Sequence, residues 1–153
     1  MSIISTAYDA LLTRLDTLYP SGSGWNRLPN PYKAEENTEL FLRQGYGVAM
    51  GPGQNTNRTV NCKFSVSRDM VIILTRKYEA LENDAAGKAV TEKQLFEDQY
   101  ALINDLEQDI SINGQTMYTR YISDGGIEYV RGDTDRFLIL RTVFSLEYME
   151  TFA

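Results

Sequence analysis

The side chain most often used to move protons near neutral pH, histidine, does not occur in this chain. A serine triad therefore lacks its base. A zinc site built on histidine and cysteine is excluded as well, because Cys62 is the only cysteine. That lone thiol has no internal disulfide partner and reads as core. Paired carboxylates could hydrolyse a glycoside. The acids here, Glu35-Glu36, Glu82, Asp84, Glu107 and Asp109, instead sit on expected helix faces and turns, where charge runs are solvated surface. Asp133-Thr134-Asp135 begins like a calcium loop but lacks that motif's remaining ligands and terminal glutamate. Arg131-Gly132-Asp133 spells an adhesion tripeptide and reads as a turn. Gly22-Ser23-Gly24 is followed by no Gly-Lys-Ser/Thr, so it is not a phosphate loop. Asn57-Arg58-Thr59 matches a glycosylation sequon, for which no export signal is present. These residues point to a protein that is not an enzyme and needs no metal or cofactor.

What is abundant is tyrosine, ten in 153 residues. Tyrosine suits half-buried strands and protein interfaces. The formal charge is −6, with 21 acids against 15 bases and no basic cluster. A free nucleic-acid binder shows a basic face; an acidic one can surround nucleic acid without adhering to it. There is no basic-then-apolar N-terminal segment and no apolar run of membrane-spanning length, so the expected setting is the cytoplasm or a particle assembled there, with no membrane partner.

The elements that position these residues follow from periodicity. Ile4, Tyr8, Leu11, Leu12, Leu15 and Leu18 form one stripe of a helix over 3–18, ended by Tyr19-Pro20. Residues 21–37 read as a loop that carries Trp25, Leu28 and Tyr32. Such a loop either closes the chain's own core or docks on a neighbouring subunit. Residues 38–50 alternate as a strand, Gly51–Arg58 reads as a polar hairpin loop, and 58–78 as the long central strand. The apolar run Met70–Leu74 predicts that this strand is covered on both faces, with a bulge near Ser67–Asp69.

Thr91 and Gln94 form a capping box, with Val90 and Leu95 as its staple. The helix that follows turns Leu95, Phe96, Gln99, Leu102, Ile103, Leu106 and Ile110 inward and ends at Asn113-Gly114. Its acids Glu97, Asp98, Asp105, Glu107 and Asp109 point mostly outward. Strands are expected over 115–122 and 127–130, with a turn at Asp124-Gly125-Gly126 between them. A closing strand over 136–149 puts Leu138, Leu140, Phe144, Leu146 and Tyr148 on one side. The expected fold is one α+β domain, a single antiparallel sheet covered on one side by two helices. Phe64, Ile72, Leu102, Leu106, Leu140 and Phe144 are the predicted core.

The order of these pieces is an amphipathic helix (IISTAYDALLTRLDTLYP), a hairpin with a long second strand (RTVNCKFSVSRDMVIILTRKYEA), a helix (TEKQLFEDQYALINDLEQDI) and a closing strand (DRFLILRTVFSLEYMETF). This layout resembles the tail terminator, or tail completion, proteins of long-tailed bacteriophages over nearly the whole chain. The resemblance implies a homo-oligomeric ring, commonly a hexamer, at the head-proximal end of the tail tube. Such a ring stops tube polymerisation and joins the tail to the neck of the capsid. Its partners would be the tail tube protein and a neck or connector protein, with DNA passing through the lumen unbound. In that setting Trp25, Leu28 and Tyr32 are candidates for the subunit contact. Gly51, Gly53, Gln54, Asn55, Asn57 and Arg58 are candidates for contact with tube or neck. Glu35, Glu36 and residues 79–84 are candidates for the inner wall. Another neck or tube subunit, or a small non-catalytic binding module, is the alternative.

Overall fold

The computed structural model describes residues 2–20, 22–59, 63–78, 84–108, 117–131 and 135–151. Helix α1 spans Ile3–Leu18, as its stripe predicts. The Ser2 hydroxyl accepts from the Ser5 backbone N–H and caps its start. Ala7, Leu11 and Leu15, four residues apart, are its buried line.

A two-residue strand β1 (Asn26–Arg27), a short helix α2 (Glu39–Leu42) and strand β2 (Gln44–Thr59) follow. Two expectations fail here. Leu40 and Leu42 belong to a helical turn rather than a strand. Residues 51–58 are not a hairpin loop: β2 runs on through them, paired to β3 (Lys63–Lys77) from Gly53↔Arg68 to Thr59↔Lys63. Glycine and asparagine read locally as a turn, but the ladder to β3 overrides that preference. The irregularity that turn chemistry signalled is absorbed as register shifts between Met50 and Gly53 and between Asn55 and Asn57. The bulge expected at Ser67–Asp69 therefore lies on the partner strand. β3 itself pairs with β5 (Arg136–Thr151) without a shift. The expected strand positions Val60 and Cys62 lie outside the described residues.

Helix α3 covers Asp84–Gln108 and starts seven residues before the expected box. Thr91 is buried inside it, its hydroxyl donating to the Gly87 carbonyl, and Val90 is exposed. Strand β4 is continuous over Met117–Arg131. The expected turn at Asp124-Gly125-Gly126 is a bulge instead, with shifts between Tyr121 and Ser123 and between Asp124 and Ile127. Gly126, at φ 78°, supplies the left-handed backbone that the bulge needs. The stop at Asn113-Gly114 and the position of Ile110 lie outside the described residues.

The fold is α+β, one sheet in the order β1-β2-β3-β5-β4. It is antiparallel except for β1, which runs parallel to β2 and makes the sheet mixed. Alternation along β3 and β5 builds two cores. Met70, Ile72, Leu74, Leu138, Leu140, Phe144 and Leu146 meet α1 and α3 on one face. Ile73, Phe137 and Ile139 face the other way and meet Leu28, Ala34 and Leu42. The run Met70–Leu74 is thus covered on both faces, on the second side by the 28–42 segment rather than by a long helix. Of the predicted core, all are buried except Phe64, which packs half-buried against the main cluster.

Candidate interaction surface

The 25–42 segment wraps over the β2 side of the sheet from one face to the other. On the helix face, the Trp25 ring lies 4.3 Å from Tyr19 and 6.4 Å from Tyr46, centroid to centroid. The Arg76 guanidinium stands 5.2 Å over it. Leu28 then crosses to the second core, its N–H donating to the Tyr46 carbonyl at 2.8 Å. The crossing needs glycine at 45, where a Cβ would stand 2.6 Å from the Phe41 carbonyl oxygen and 2.7 Å from Leu28. Tyr32 ends on the surface, 64% exposed. Of the three residues expected at a subunit contact, Leu28 is closed inside the chain and Trp25 is half-buried among its own neighbours. Only Tyr32 is fully presented to solvent.

The six residues expected to touch a tube or neck lie on the outer part of β2. Gly53, Gln54 and Asn55 are exposed, and Gly51 is half-buried. Asn57 and Arg58 pair through the backbone with Ser65 and Phe64. Arg68 fixes this stretch by donating to the Gly51 carbonyl at 2.9 Å and to the Tyr148 hydroxyl at 3.2 Å. Glu35, an inner-wall candidate, pairs with Arg141; Glu36 lies 3.7 Å from Lys33.

Ionic contacts fasten the helices to each other and to the sheet. Asp98 and Asp105 were expected to point outward. Asp98 instead takes Arg76 at 2.9 Å, and Asp105 takes Arg14 at 2.8 Å, with both arginines mostly buried. The Tyr19 hydroxyl donates to the Asp98 carbonyl, and burial pushes its phenol well above the ordinary range. Asp16 receives the Tyr46 hydroxyl and Arg27. Burial, then the bond to Asp16, raises Tyr46 as well.

A second polar knot holds the β4 bulge. Asp124 accepts the Gly126 N–H at 2.9 Å, the Gln99 amide at 3.1 Å and the Tyr121 hydroxyl at 3.3 Å. The Gly126 bond, then the Gln99 bond, draws the Asp124 carboxyl below its ordinary value. Gln99 also donates to Thr142 at 3.1 Å, so helix, bulge and central strand share one buried amide.

Among the described residues no group of three or more histidine, cysteine, aspartate or glutamate side chains could hold a metal. A small cleft of about 130 Å³ lies between α3 and the β4–β5 end, lined by Tyr78, Lys88, Tyr129, Arg131, Arg136 and Phe137. Lys88 stands 4.9 Å over the Tyr129 ring, whose hydroxyl is bonded to Glu92. No protein-family model and no curated protein matches this chain.

Among the described residues three surfaces are open. The outer half of the sheet's second face carries Gln54, Ser65, Ser67, Asp69, Tyr118, Arg120, Ser145 and Glu147, beyond the reach of the 28–42 cluster. The outer edge of β2 is covered by β1 only at Gly45 and Tyr46. The outer edge of β4 ends the sheet. Exposed side chains on β4 include Tyr118, Ile122 and Tyr129, and α3 adds Phe96 and Tyr100. Sequence reasoning turned Phe96 inward and gave Tyr100 and Ile122 no role. The signal was present, since Phe96 and Tyr100 are an i, i+4 pair standing beside the stripe of Leu95, Gln99, Leu102 and Leu106.

Proposed function

We propose that this protein is a non-catalytic, ring-forming structural subunit, a tail terminator that caps the head-proximal end of a bacteriophage tail tube and joins it to the neck. The observation that carries the reading is a single sheet with two long, unlike, open edges. β4, of 15 residues, bounds it on one side, and on the other β2, of 16 residues, runs on past the two-residue strand β1. Edges of different make-up suit a heterologous contact, which closes into a ring when the rotation between copies allows. The order of helix, hairpin, helix and closing strands that carries the family resemblance supports the same reading. In it, the exposed outer stretch of β2 from Gly53 to Asn55 meets the tube or neck.

The test is negative-stain imaging of the purified protein with and without polymerising tail tube protein. Rings seated on one end of tubes of limited length are expected. Tubes that grow equally long in both conditions, with bare ends, would overturn the proposal.

A further inference from the structure

Helix α3 turns one flank toward the edge of the sheet. Glu92 receives the Tyr129 hydroxyl, Gln99 donates to Asp124, and Glu107 accepts the Tyr121 N–H. These three helix residues are seven and eight apart, about two turns, so they share a flank that overhangs β4. Phe96 and Tyr100 fall on or next to that flank and are 46% and 68% exposed. Ile122, exposed at the register shift between Tyr121 and Ser123, lies on the strand below. Aromatic residues kept out of the core and gathered at a strand edge are the composition of an interface centre.

The opposite edge is built differently. The Tyr46 carbonyl points outward to Leu28, so the Val48 carbonyl, two residues on, points the same way. It is met by the Tyr8 hydroxyl at 3.2 Å. Pro31, the residue before Tyr32, packs on β2 at Gly47, where a Cβ would stand 3.0 Å from the Pro31 Cβ. From there outward β2 has no strand beside it among the described residues.

We infer that the α3 flank and outer edge of β4, centred on Phe96, Tyr100 and Ile122, receive the Tyr32-bearing β2 edge of a second copy of this chain. The inference rests on the ring-forming reading above and names its two contacting faces. Within one molecule the two edges stay apart, because β3 and β5 lie between β2 and β4 in the order β1-β2-β3-β5-β4. A two-fold dimer would use one edge twice and leave the other open. A head-to-tail contact uses both, and each edge's free N–H and C=O groups find partners. The bulges in both strands confine pairing to short matched stretches, which opposes indiscriminate edge stacking. Size agrees: a strand of this length is about 50 Å long. Pairing over only part of that length leaves the α3 flank with Phe96 and Tyr100 to supply the rest of the roughly 800 Å² per partner of a stable interface.

Two blocked variants test this by sedimentation, with thermal melts to confirm folding. Tyr100→Glu with Ile122→Glu blocks the β4 side; Tyr32→Glu blocks the β2 side. The parent should self-associate, and each variant alone should lose affinity by roughly 30-fold or more, the effect of losing an interface anchor. Mixed in equal amounts, the variants retain one good edge each and should form a heterodimer that grows no further. A monomeric parent, variants that assemble like the parent, or a mixture that stays monomeric would each overturn the inference. Tube capping separates the two readings. Capping by a protein whose blocked variants assemble normally would leave the terminator reading and remove this interface. Rings that depend on both edges but leave tubes bare would do the reverse.

Discussion

Asp124 shows how one carboxylate can set the shape of a strand. Its bonds to the Gly126 N–H, the Gln99 amide and the Tyr121 hydroxyl hold the β4 bulge against α3. Its folded pKa lies below the ordinary 3.8, so the ionised form is the one the fold favours. That stabilisation is present above the unfolded value and is lost as the pH falls through the lower folded one. Asp124→Ala should therefore lower stability at pH 7 by about 1 kcal/mol, the worth of a solvent-screened charged acceptor. The gap from the parent should narrow in melts taken below about pH 4. Trp25 and Tyr32, seven residues apart, make a contrasting pair. Trp25 is stacked among Tyr19, Tyr46 and Arg76, whereas Tyr32 is open. Trp25→Ala should cost about 3 kcal/mol in a denaturant titration. Tyr32→Ala should stay within about 0.5 kcal/mol of the parent and show its effect only in self-association.

Elements whose signal is local were legible in the sequence. The stripe of α1 gave both its ends, and the alternation of β5 gave its buried side. Elements decided by distant pairing were misread. Gly51-Pro52-Gly53 and Gly125-Gly126 carry turn chemistry, yet both lie inside long strands whose neighbours hold them extended. Leu40 and Leu42 alternate as a strand would, but four residues are too few for a period to separate helix from strand. Thr91 and Gln94 satisfy a capping pattern in the middle of a helix, because Thr91 can bond back to Gly87 as readily as it could cap. The candidate surface was half legible. Tyr32 and Gly53 to Asn55, singled out by loop composition, are exposed, while the α3 flank was hidden because inward and outward aromatics look alike until the helix is docked. The wrap of 28–42 over β2 is the least visible feature and the most easily broken. At Gly45 a methyl group would meet a carbonyl, a leucine and the Thr75 hydroxyl, which already binds the Gly45 N–H at 3.0 Å. Gly45→Ala should cost about 1–3 kcal/mol by overpacking, read as a shift of the urea midpoint without a change in slope.

At the scale of the whole molecule, charge and exposed chemistry bear on the same question of what may slide past this protein. The chain carries −6, and the uncovered half of the sheet's second face offers hydroxyls and amides rather than a basic stripe. Ser67 and Ser145 bond to each other there at 3.2 Å, so their hydroxyls are partly occupied. Asp69 and Glu147 balance Lys63 and Arg120 among the exposed charges of this face. Duplex DNA bears one negative charge per roughly 1.7 Å, and binding it tightly requires cations that displace its counterions. A face of this make-up offers no cluster of cations for phosphates, in keeping with the proposed ring, through which DNA would pass unbound. The parent should therefore show no salt-sensitive binding to a labelled duplex at micromolar protein, measured by fluorescence anisotropy. Asp69→Lys with Glu147→Lys, both at exposed sites, should leave the melt nearly unchanged and create weak binding that fades as salt is raised. Tight, salt-sensitive binding by the parent itself would contradict the proposed function, because a ring that grips phosphates would hold back DNA in its lumen.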